Sequence, residues 1–165
     1  MIPSFSVPVI LLYHSVRYAS EGSIYRISIT PERFERHIRF LTSHYRIVPL
    51  DEFVDMRESR AKLQGVAAIT FDDGYVDNMT TARNILASYC VPATIFIPTG
   101  FVGRPYFWWD SMHRIRLAAS RDLERARNLL QSLFPSLTIS PEVGETDWFR
   151  VWDHMRRHPL DDSFE

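Results

Sequence analysis

Short apolar runs and wider helical stripes alternate along the first hundred residues. The runs 7–13, 45–49, 66–72 and 91–98 are brief and rich in Val, Ile, Phe and Thr, which is how buried strands read. Between them the apolar spacing widens to three and four. Thr30 is placed as a helix N-cap with Pro31 at the first helical position, and Phe34, Ile38 and Leu41 then form one face. Ala82, Ile85, Leu86 and Tyr89 form a second such face, with Asp77 or Asn78 as the cap and Cys90 as a small buried residue at its end. Strands alternating with helices predict a parallel α/β sheet.

The pattern changes after residue 110. Ile115, Leu123, Leu129, Leu130 and Leu133 predict one long helix over 110–134, with Arg114, Arg116, Arg121, Arg125 and Arg127 as its solvated basic face. Pro135, Pro141 and Gly144 mark a loop around 136–146. Trp148, Val151, Trp152 and Met155 then recur at helical steps.

Composition narrows the function classes. A net charge of −1 over 165 residues leaves no electrostatic footprint for nucleic acid. No apolar run reaches the ~18 residues of a membrane span. The single cysteine cannot form an internal disulfide. No basic segment precedes the first apolar run, so no cleavable signal peptide is expected and the default location is cytoplasmic.

The candidate chemistry lies where the third apolar run stops, in Ala68-Ile69-Thr70-Phe71-Asp72-Asp73-Gly74-Tyr75. Two carboxylates at a strand end suit a metal ligand beside a general base, because such loops gather catalytic groups. Asp-Asp-Gly is equally ordinary turn chemistry, since Asp bonds its own backbone and Gly supplies positive φ. His14 closes the first run and would share the same sheet end, either at the edge of a site or as a hydrogen-bonded core histidine.

Further stretches extend the pattern. Val7-Pro8-Val9-Ile10-Leu11-Leu12-Tyr13-His14-Ser15-Val16, Ile29-Thr30-Pro31-Glu32-Arg33-Phe34, Tyr45-Arg46-Ile47-Val48-Pro49-Leu50, Thr70-Phe71-Asp72-Asp73-Gly74-Tyr75 and Val91-Pro92-Ala93-Thr94-Ile95-Phe96-Ile97 follow one another in order. Together they resemble the opening of a bacterial polysaccharide deacetylase, the NodB-homology domain of carbohydrate esterase family four. The resemblance implies a metal-dependent hydrolase that removes N-acetyl or O-acetyl groups from a carbohydrate or polysaccharide. It implies Asp72 as general base, Asp73 as ligand of a divalent zinc or cobalt, and the backbone at Gly74-Tyr75 as an oxyanion contact. The partner it implies is a carbohydrate with N-acetyl groups.

The family's second signature, His-Ser/Thr-x-x-His-Pro, supplies two further ligands. His154-Met155-Arg156-Arg157-His158-Pro159 has the spacing, but Met155 stands in the hydroxyl position and the context is a helix rather than a strand end. His154 and His158 are therefore candidate ligands, set against a true pair beyond residue 165. Arg104-Pro105-Tyr106 echoes a later signature but comes early, and is read as the loop opening a helical insertion at about 104–160. The aromatic run Tyr106, Phe107, Trp108 and Trp109 is read as a packing cluster, with a sugar-stacking platform as the alternative.

The expected fold is a partial (β/α) barrel of the polysaccharide deacetylase type. A full barrel typically takes ~250 residues, so 1–165 is expected to be a single, truncated domain. The alternative to an enzyme is a noncatalytic truncated or split remnant lacking the metal-binding histidines. Another chain supplying the missing half is a third reading.

Overall fold

A computed structural model describes residues 7–18, 27–103, 107, 109, 110, 112, 116 and 122–157. The chain forms two compact units, Met1–Thr99 and Gly100–Glu165.

In the first unit all four apolar runs become strands, each shorter than its run. They are β1 (Val9–Tyr13), β4 (Arg46–Ile47), β5 (Val66–Phe71) and β6 (Thr94–Ile95). The sheet is parallel, as predicted, with β5 at its centre. β1 lies along one edge of β5 from Val9↔Ala67 to Tyr13↔Phe71. The other edge is therefore shared, by β4 at the start of β5 (Arg46↔Val66) and by β6 at its end (Phe71↔Ile95). Two further elements, β2 (Ser15–Val16) and β3 (Ser28–Ile29), pair in parallel outside this sheet. At two residues each, they leave no periodic signal to read.

All six residues of β5 are buried, and their alternation divides them between two cores. Val66 and Ala68 meet Val48 and Phe53, the latter on α2 (Leu50–Glu58). Ile69 and Phe71 meet Phe34, Ile38 and Leu41 on α1 (Pro31–His44) and Ala82 and Leu86 beyond. Thr30 caps α1 as expected, its hydroxyl accepting from the Arg33 N–H at 3.4 Å. A latch fastens α1 to the end of β1. The Tyr13 hydroxyl lies 3.1 Å from His37 Nδ1, and burial pushes the phenol up to about 12. Burial, then Arg33 and Arg36, pull His37 below its usual value.

Three sequence expectations need correction. Asp77 stands where a cap was expected but makes no side-chain cap bond; a π turn at Asn78–Ala82 leads instead into α3 (Arg83–Ser88). Cys90 is exposed rather than buried, because it takes the left-handed conformation (φ +53°) just past the helix. There its N–H donates to Ala87 while Val91 donates to Leu86, the paired bonds of a Schellman end. The helix expected over 110–134 restarts at Asp122. That residue is extended (φ −155°), and its carboxylate accepts from the Arg125 N–H to cap α4 (Leu123–Leu133). The restart turns Leu123 and Leu129 to solvent and gives the core Ala126 and Leu130. Residues 117–121 lie outside the described residues.

The second unit holds α4 and α5 (Glu145–Arg157). Trp148, Val151 and Met155 are buried on the predicted face of α5, against Leu130 and Phe134. The loop between the helices is tied by Asp147, which is fully buried and accepts from the N–H of Ser140 at 3.2 Å and of Gly144 at 2.9 Å, and from the Ser140 hydroxyl. The Ser140 hydroxyl and then the two N–H groups hold the Asp147 carboxyl below its usual range, against the opposing pull of burial. A depressed folded pKa means stability that is present at neutral pH and lost as pH falls through it, below the ordinary value of ~3.9. Thermal unfolding from neutral pH to about pH 3 is expected to show that loss, and Asp147→Asn to abolish the share due to this group. Asp147→Ala leaves two backbone donors without their acceptor and is expected to cost about 3 kcal/mol in urea unfolding.

Candidate active site

Parallel strands in register end at the same edge of a sheet, and here that rule assembles the site. Tyr13 pairs with Phe71, so the residues after β1 and β5 emerge side by side. The Asp72 N–H still donates to the Tyr13 carbonyl at 2.9 Å. One residue further along each strand, His14 Nδ1 lies 2.9 Å from Asp73 Oδ2, a contact between residues 59 apart in sequence. His14 is thus hydrogen-bonded to the second residue of the doublet, its side chain about 30% exposed.

The turn is strained as well as placed. Asp73 has φ +69° and Gly74 φ +62°, two consecutive left-handed residues of which only glycine is free of steric cost. Asp tolerates this region better than most side chains, and strain of this kind clusters where function requires it. The turn reading and the site reading of Asp-Asp-Gly are thus compatible. Gly74 also faces the end of β6, where an added Cβ would stand 3.3 Å from Ile97 Cγ1. Gly74→Ala is expected to cost about 1–2 kcal/mol from the left-handed backbone, read as a lowered urea midpoint with unchanged slope.

Tyr75 is buried, with the Arg17 guanidinium 5.5 Å from its ring centre. Its side chain is therefore core, and any contact with a reacting group falls to the backbone. Asp77 is a residue the sequence reading missed as part of this region. Its carboxylate accepts from the Ser15 hydroxyl at 2.8 Å and the Val16 N–H at 3.0 Å. The available signal was an acid one helical turn after the doublet, which was instead assigned to capping.

His154 is on α5 in the second unit, its ring edge-on to Phe134 at 5.5 Å, and lines a cavity of about 310 Å³ with Leu137, Arg150, Asp153 and Arg157. His158 lies outside the described residues, as do Arg104-Pro105-Tyr106 and Trp108. Phe107 and Trp109 stack at 4.6 Å, with Phe101 beside them at 5.2 and 5.3 Å. Among the described residues no group of three His, Cys, Asp or Glu side chains is gathered as a metal site. A catalytic zinc takes three protein ligands. Asp73 and His14 offer one carboxylate and one imidazole, so the described residues do not by themselves complete a site for zinc or cobalt. No described helix is long and apolar enough to cross a membrane.

Comparison with known proteins finds a family model and several relatives. The family model for polysaccharide deacetylases matches residues 59–132, the stretch that contains the doublet. A putative polysaccharide deacetylase of Bacillus subtilis, YxkH, is 30% identical over 99 residues, covering 59% of this chain and 34% of its own. The poly-beta-1,6-N-acetyl-D-glucosamine N-deacetylase of Staphylococcus aureus is 29% identical over 126 residues, covering 69% of this chain and 42% of its own. The structure of IcaB from Ammonifex degensii superposes with a TM-score of 0.54 at 27% identity, over 70% of this chain and 49% of that one. The chain thus spans between 34% and 42% of the length of these two curated relatives.

Proposed function

We propose, from the match of residues 59–132, which carry Asp72 and Asp73, to the polysaccharide deacetylase family model, that this chain provides part of a hydrolase that removes N-acetyl groups from a carbohydrate polymer. The family is one of hydrolases acting on carbon–nitrogen bonds other than peptide bonds. The observation that carries the reading is the His14–Asp73 contact at 2.9 Å beside Asp72, across the ends of two paired strands.

Asp72 is assigned as the general base that takes the proton of the attacking water. The backbone N–H groups at Gly74 and Tyr75 are assigned to the oxygen that becomes negative as the acetyl carbon turns tetrahedral. His14 holds Asp73 through Nδ1. Asp73 is the carboxylate assigned to a divalent cation, zinc or cobalt, which when bound polarises a carbonyl; its remaining ligands are not among the described residues. The parallel sheet is read as part of a (β/α) barrel, and the helices of about 104–160 as an insertion in one deacetylase domain.

The relative from Staphylococcus aureus suggests a β-1,6-linked N-acetylglucosamine oligomer as the first substrate to try. Acetate release is expected when zinc or cobalt is supplied, and its disappearance on chelation. No release with either metal would favour the noncatalytic remnant or the need for a complementing chain.

A further inference from the structure

We infer that Asp77 is a positioning residue, holding the His14 segment in register with the doublet so that the His14–Asp73 contact forms. His14 and Asp73 are each held from behind. The two residues after His14, Ser15 and Val16, are fully buried, and both donate to one carboxylate, Ser15 Oγ at 2.8 Å to Oδ2 and the Val16 N–H at 3.0 Å to Oδ1. That carboxylate belongs to Asp77, four residues after Asp73 and itself only 7% exposed. Arg17 completes the arrangement, its Nε 3.9 Å from Asp77 Oδ2 and its guanidinium over the Tyr75 ring at 5.5 Å.

The chain therefore runs as two short arms, 14–16 and 73–77, joined at one end by Asp77 and meeting at the other as His14 and Asp73. A carboxylate accepting with both oxygens fixes both translation and tilt of the segment it grips, which a single bond does not. The cap role that the sequence suggested for Asp77 is unfilled, so the side chain is committed to β2.

This inference uses the placement of the proposed site, and its test needs no turnover, so it stands or falls separately from the deacetylase reading. The His14 ring nitrogens are observed by long-range proton–nitrogen NMR at one neutral pH. Asp73→Asn defines the signal when the carboxylate is gone. Asp77→Asn keeps the size but can accept with only one oxygen; it is expected to move the His14 signals most of the way to those of Asp73→Asn. Leu86→Ala, a buried change in the same unit, is expected to lower the melting temperature and leave the His14 signals at wild type. Should Asp77→Asn fail to fold, Ser15→Ala removes one of the two bonds with the carboxylate intact and is expected to shift the signals in the same direction. His14 signals unmoved in the folded Asp77→Asn protein, or in Ser15→Ala where that variant stands in, would overturn the inference and leave Asp77 a purely structural group.

Discussion

Replacing Asp72 with asparagine is expected to lower the rate of acetate release by about 10²–10⁴-fold, the usual contribution of a positioned general base. The loss should fall on kcat with KM little changed, because the carboxylate is assigned to a proton transferred in the transition state rather than to holding the sugar. Folding should be nearly unaffected. The bond that fixes this residue is made by its backbone N–H to Tyr13, which asparagine keeps. Turnover at the wild-type level in this variant, on a substrate that the wild-type chain deacetylates, would remove Asp72 from the chemistry.

The largest loss of stability is expected at Phe34. The side chain is fully buried, edge-on to Tyr13 at 5.0 Å and to Phe71 at 5.8 Å, the last residues of the two strands whose ends carry the site. Phe34→Ala removes both ring contacts and leaves a cavity between sheet and helix, for about 3–5 kcal/mol. Since domains of this size hold about 5–15 kcal/mol in all, the first unit should unfold at much lower urea. The check is the urea midpoint followed by circular dichroism. A cost under about 1 kcal/mol would mean that this core is not packed as described.

The parallel sheet was legible because its strands carry their own signal. A strand covered on both faces has to be apolar throughout, and Val66–Phe71 is buried at every position. The Asp72–Asp73 doublet was legible for the same reason, since it stands where that run stops. What the sequence could not give is the company it keeps. His14 comes to Asp73 only through the β1–β5 register, and a contact between residues 59 apart leaves no local trace.

The misplaced features have different causes, and in one a polar residue with a strong local role is taken by a distant partner. Asp77 reads as a cap and is drawn instead to Ser15 and Val16. Asp122 falls inside the long helix expected over 110–134 and is the cap that restarts it. Cys90 follows an apolar stripe but occupies the residue where the chain must turn left-handed to leave α3, which points it away from the core.

The central claim is that the turn after β5 is the hydrolytic centre, with its two carboxylates in separate roles. The most direct test is acetate release from a β-1,6-linked N-acetylglucosamine oligomer by wild type, Asp72→Asn and Asp73→Asn, at equal concentrations of folded protein with zinc or cobalt supplied. Where the wild type releases acetate, alone or with a complementing chain, the account predicts no more than about a hundredth of that release in either variant. Wild-type release persisting in either one would contradict it.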